Sequence, residues 1–225
     1  MKKIAVLLLC AALLVTAAAC AAKKPESGLP DDNPTAAGGW SRPDSPEVPD
    51  EVREACEKAF EKLIGVDYEP VALLASQVVA CMNYRVLCTA RATAPDAEAY
   101  YVIVTVYRNL DGDAEVTGIL TAEAEAPSGE TLMGGWAAPE SLAVTDEAMA
   151  VFDKAMEELT GMNYIPVVLV GTQVVAGTNW RLLCEQTAVS SDAEAGYALM
   201  TIYADLNGGA EITDIAVFTA DEAAE

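Results

Sequence analysis

The chain has 225 residues, 52% of them hydrophobic, and a formal charge of −22 from 13 Lys+Arg against 35 Asp+Glu. That length holds one or two domains with real cores, and a polyanion repels nucleic acid and anionic lipid, so neither is expected as a binding partner. Histidine is absent, which removes imidazole bases, Ser-His and Cys-His pairs and imidazole metal ligands.

Met1-Lys2-Lys3 is a short basic start, and Ile4 to Ala19 is an apolar run that closes on Ala17-Ala18-Ala19-Cys20. Basic, apolar and small-residue regions in this order are those of a secretory signal. With cysteine fourth in the tetrad, residues 1–20 resemble a bacterial lipoprotein signal, although Ala17 stands where a leucine is usual. The resemblance implies a lipid on Cys20, export across the bacterial cytoplasmic membrane, and contact with the cell-surface membrane through that anchor only. Ordinary cleavage near Ala19 and an uncleaved anchor helix are the rival readings. Residues 21–37 mix Pro, Gly and polar residues without periodicity and are expected to form a flexible tether. Cys56, Cys81, Cys88 and Cys184 follow, an even number that permits disulfides without dictating them.

From Gly38 the chain repeats itself at a constant offset of 96 positions: Gly38-Gly39-Trp40 with Gly134-Gly135-Trp136, Tyr68 with Tyr164, Gln77 with Gln173, Cys88 with Cys184. Residues 38–124 and 134–225 are the two copies and 125–133 the joint, a duplicated domain and not a solenoid. In each copy the elements follow one order. Apolar Val52, Cys56, Ala59, Phe60 and Leu63 make a helical stripe over Asp50 to Leu63, with acidic residues in its first turn and Gly65 beyond its end. Strands are expected over Tyr68–Val79, Asn83–Ala92, Tyr101–Tyr107 and Ala114–Leu120. Tyr84, Val86 and Cys88 alternate with Asn83, Arg85 and Thr89, and Val102, Val104 and Val106 with Tyr101, Thr105 and Tyr107. One helix over one face of an antiparallel meander predicts an α+β fold of two layers.

The first two strands of each copy meet at an apolar tip, Gln77-Val78-Val79-Ala80-Cys81 and Gln173-Val174-Val175-Ala176-Gly177. Hairpin tips are usually polar, and an apolar pair held on a turn invites a partner. Gln-Val-Val-Ala-Gly, with Gly-Gly-Trp before it and Asn-Trp-Arg-Leu-Leu-Cys after it, resembles the cystatins, inhibitors of papain-like cysteine peptidases. The resemblance runs along the second copy and is echoed in the first. It implies two tandem cystatin-like domains, each a helix packed across a four- to five-stranded antiparallel sheet.

It also implies reversible, non-covalent occlusion of a papain-like active-site cleft by a wedge of three parts, mainly in the second copy. The trunk is Leu132, Met133, Gly134 and Gly135, the first tip is Gln173, Val174, Val175, Ala176 and Gly177, and the second is Asn207 and Gly208. Gln77, Val78, Val79 and Ala80 are the counterparts in the first copy. The physical roles are consistent. Two apolar trunk residues and a dry tip each offer roughly 1.5–3 kcal/mol per fully buried side chain. Glycines let the trunk turn away and the tip close. The second hairpin, Leu206-Asn207-Gly208-Gly209, lacks the Pro-Trp pair common in that family, and Cys81 replaces the tip glycine in copy one. A left-handed backbone at Cys81 would cost roughly 1–2 kcal/mol.

Two rivals remain: a non-inhibitory cell-surface binding or assembly module on the same fold, and an enzyme using a carboxylate base in a conical cavity. The second needs polar inward residues, whereas the inward positions read Val, Ala, Met, Ile and Cys. Trp40 and Trp136 are expected as core anchors, Cys88 and Cys184 as buried thiols, and Asp192 and Glu194 as a solvated loop. Cys56 lies within possible reach of Cys88. No catalytic residue, metal or cofactor is implied.

Overall fold

The computed structural model describes residues 38–126, 134–157, 159–189 and 195–220. The signal, the tether and most of the joint, with Cys20, Leu132 and Met133, lie outside the described residues, as does the expected loop at Asp192 and Glu194. Among the described residues no helix is long and apolar enough to cross a membrane.

Two short helices, α1 (Asp50–Phe60) and α2 (Asp146–Met156), each open on an acidic pair that meets the positive end of the helix dipole. Thr145 caps α2 by accepting the Ala148 amide at 3.2 Å. Helix α1 stops at Phe60, before the expected Leu63. Gly65 (φ 91°) shapes the entry to the following strand, where its carbonyl accepts the Thr93 amide. The strands are β1 (Trp40–Ser41), β2 (Val66–Val78), β3 (Met82–Ala92), β4 (Ala99–Arg108) and β5 (Ala114–Glu125), then β6 (Met162–Val175), β7 (Gly177–Ala188), β8 (Gly196–Asp205), β9 (Ala210–Val217) and β10 (Thr219–Ala220). All pairings are antiparallel, in the orders β1-β2-β3-β4-β5-β10 and β6-β7-β8-β9. Register shifts after Pro70 and Leu73 recur after Pro166 and Leu169. These are bulges at which a strand bends and changes the face its side chains take.

The α+β expectation of two separate helix-on-sheet domains is corrected here. Of the described residues 55% are strand and 13% helix, so the chain is mostly β, with two short helices and two antiparallel sheets. One face of the first sheet does take α1, with Val52, Cys56 and Ala59 against Val86, Cys88, Val102 and Val104. The other face is not solvated. Leu87, Tyr101 and Ile103 join Val168, Val170, Leu183 and Leu199 in one buried cluster that draws on both copies. The physical reason lies in runs such as Val86-Leu87-Cys88 and Val102-Ile103-Val104, which are apolar without alternation and therefore need cover on both faces.

Polar contacts close the seam. The Tyr101 hydroxyl donates to the Val170 carbonyl at 3.3 Å. Arg181 donates to the Glu125 carbonyl, and Arg42 pairs with the Glu185 carboxylate. Strand β10, at the end of copy two, adds to the edge of copy one by pairing with Leu120 and Thr121 of β5.

The two copies should therefore melt as one. Leu87→Ala and Leu199→Ala, on opposite sides of the seam, are each expected to cost about 2–5 kcal/mol within a single denaturant transition. Two separated transitions would show that the halves do not depend on one another.

Cys56, Cys88 and Cys184 are buried free thiols. Burial pushes Cys56 and Cys184 up to about 12 and raises Cys88 too. Burial likewise pushes Tyr101 up to about 12, against the neighbouring Arg181 charge. The folded state thus keeps these groups neutral where the unfolded chain ionises them. Their contribution is complete below the ordinary thiol value of 9.0 and drains as pH climbs towards 12. Denaturation midpoints should accordingly be flat between pH 7 and 8.5 and fall steeply above 9.

Candidate functional site

An antiparallel meander puts alternate turns at the same end of its sheet, and this brings the expected wedge together. The β6–β7 turn and the β8–β9 turn share one pole because Gly177 lies opposite Asp205 in the β7–β8 register. The trunk is held at the same pole by side chains. Gln173 donates from Nε2 to the Gly134 carbonyl at 2.7 Å, while its Oε1 accepts from Asn179 Nδ2 at 2.7 Å. Ala137 and Thr172 then exchange backbone bonds at 2.8 and 3.0 Å. Gln173 is thus a clamp, and Asn179 orients it. The residue reading placed Gln173 in the site without that role and left Asn179 out, although both recur 96 positions apart as Gln77 and Asn83.

The tip stands clear. Val174 is 74% exposed and Val175 44%, with Ala176 exposed at the apex. Gly177 is needed for close approach more than for closing the turn. A Cβ there would collide with the Ala204 carbonyl oxygen and lie 2.9 Å from the Tyr203 ring, contacts no substitution relieves without moving β8. Tyr203 also donates its hydroxyl to the Ala176 carbonyl at 3.0 Å, bracing the apex. Gly134, with φ 78°, adopts the left-handed backbone that only glycine takes without strain.

In the second turn Asn207 and Gly208 are exposed, and Asp205 organises both. Its carboxylate accepts the Asn207 amide at 2.6 Å and the Gly209 amide at 3.0 Å. These backbone bonds hold the Asp205 carboxyl below the usual carboxylate range. The same loop offers an anchor the sequence reading passed over: Leu206 is 84% exposed. A groove of about 320 Å³ lies between this loop, the base of the Val174-Val175 tip and helix α2, lined by Leu206, Gly208, Gly177, Thr178, Glu147 and Lys154.

Copy one repeats the arrangement with local changes. Gln77 Nε2 donates to the Gly38 carbonyl, and Asn83 Nδ2 to Gln77 Oε1, each at 2.7 Å. Val78 and Val79 are exposed, as is Leu110 in the second turn. Cys81 avoids the left-handed backbone that would strain it: among the described non-glycine residues only Asp96 has positive φ. The turn is rebuilt instead, with the Val79 amide bonded to the Cys81 carbonyl at 2.9 Å and Tyr107 Oη 3.1 Å from Cys81 Sγ.

Trp40 and Trp136 are half-buried under cations and are not core anchors. The Arg85 guanidinium carbon lies 4.1 Å from the Trp40 ring centroid and that of Arg181 3.8 Å from Trp136. Among the described residues no group of His, Cys, Asp or Glu is arranged to hold a metal ion. No protein-family model matches the chain, and no curated protein matches it.

Removing the clamp should loosen the trunk without unfolding the sheet. Gln173→Ala deletes two hydrogen bonds, about 0.5–1.5 kcal/mol each, and hydrogen exchange at the Ala137 amide should accelerate while that of β7 stays slow. Unchanged exchange at Ala137 would remove Gln173 from this role.

Proposed function

We propose that the chain inhibits papain-like cysteine peptidases by reversible, non-covalent plugging of the active-site cleft, chiefly through the second copy. One observation carries this reading: Gln173 bonds the Gly134 trunk to an exposed Val174-Val175-Ala176 tip, at the pole where Leu206 also projects. Two apolar points on a paired sheet, the tip and Leu206, suit a hydrophobic cleft. The backbone of both turns is already held by the Tyr203 and Asp205 hydrogen bonds, which lowers the ordering cost of binding. Leu206 supplies the apolar contact that the missing Pro-Trp pair would have made. The wedge needs no reactive group of its own, since filling the space beside the target's cysteine is sufficient.

The lipidated Cys20 and the tether of residues 21–37 would hold this body at the bacterial cell surface. The tether would join the body at Gly38, which Gln77 holds beside the Val78-Val79 tip of copy one.

Titrating papain with the full chain should abolish peptidase activity, and Val174→Asp should weaken inhibition at least about 10-fold, the equivalent of one lost apolar burial. Full papain activity at high micromolar chain would overturn inhibition and leave a non-inhibitory surface-binding module in its place.

A further inference from the structure

The two wedges point in opposite directions. Arg42, which follows β1 where that strand pairs with Ser76 and Gln77 near the copy-one tip, meets Glu185 near the far end of β7. Arg181, four residues after Gly177, reaches the Glu125 carbonyl at the far end of β5. Each tip therefore lies beside the non-tip end of the opposite sheet, and the copies are antiparallel across the shared core. Chain length leads to the same arrangement. Residues 127–133 must carry the backbone from Ala126 to Gly134, a reach of about 28 Å at most. Strand β5, at 12 residues, spans about 40 Å, so the joint cannot return to the pole from which β5 started.

Among the described residues the first pole keeps the clamp, the exposed apolar tip and the exposed leucine of the second turn, with Cys81 in place of the tip glycine. Gln77 clamps Gly38. Val78 is 64% exposed, Val79 45% and Leu110 88%. A groove of about 300 Å³ separates the tip from the second turn, lined by Val79, Cys81, Arg108 and Leu110. The second turns differ in the placement of their charges: copy one carries Arg108, Asp111 and Asp113, with Arg108 3.9 Å from Glu51, and copy two carries Asp205 alone.

We infer that the chain is two-headed and binds two papain-like peptidase molecules at once, one at each pole. The inference rests on the inhibitor reading, and it assigns Val78, Val79 and Leu110 to a second binding edge. About 40 Å of sheet separates the heads, so a peptidase seated on one leaves the other open.

A layered capture experiment tests this. Thiol-blocked papain is fixed sparsely on a sensor, the full chain is bound to it, and free thiol-blocked papain follows. A second layer of close to one papain per captured chain is expected. The exposed double substitutions V78D/V79D and V174D/V175D should each preserve first-layer capture and the wild-type melting temperature, while the second layer falls at least tenfold. A bound first layer with no second overturns the two-headed arrangement and leaves the inhibitor reading standing. A second layer that survives both double substitutions also overturns it, since binding would then lie away from the tips. No first layer at all overturns both readings.

Discussion

The structure depends on burial of the inner faces of two sheets against one another. Leu87, Tyr101, Ile103, Leu183 and Leu199 have no other cover, and each buried aliphatic side chain contributes roughly 1.5–3 kcal/mol relative to exposure. Without that contact each sheet would present an apolar face to water with a single short helix on its other side. The copies are thus halves of one core, and β10 strengthens the dependence by completing an edge in the other half. Copy two excised alone would lose the partner of its inner face, which is why the full chain is the meaningful unit for assays.

This seam also positions the function. Pairing the sheets antiparallel sends the hairpin tips to opposite poles, and the meander gathers trunk, first turn and second turn at each. The recurring Gln–Asn pair converts nearness into a fixed relation. A glutamine has one acceptor and two donors, so it can hold the trunk carbonyl and be held by Asn179 simultaneously. The tips can remain apolar and exposed because the two strands beneath each pair with one another and pack into the core. Tyr203 in one copy and Tyr107 in the other brace the turn by different bonds, which allows glycine in one tip and cysteine in the other.

Much of this was legible in the residues. The duplication, both helices, the main strands and the apolar tips follow from the 96-residue offset, period-3.6 and period-2 patterns, and valines at turn positions. The alternation of Val102, Val104 and Val106 marks one face of the strand and is silent on the other. Ile103 between them, and Leu87 between Val86 and Cys88, already marked strands buried on both sides. Trp40 and Trp136 misled in the opposite way: large aromatics suggest core, but here a guanidinium covers each ring.

By itself the sequence determined the units, their internal order and the chemistry of the tips, since these depend on contacts between residues close along the chain. The relative direction of the copies came only with the contacts between the sheets, Arg42 with Glu185 and Arg181 with Glu125. What only the tertiary structure decided were the relations between distant residues: sheet against sheet, Gln173 on Gly134, and Leu206 beside the tip. Burial on a second face is a property of two surfaces together, and no local pattern names the surface that will meet it.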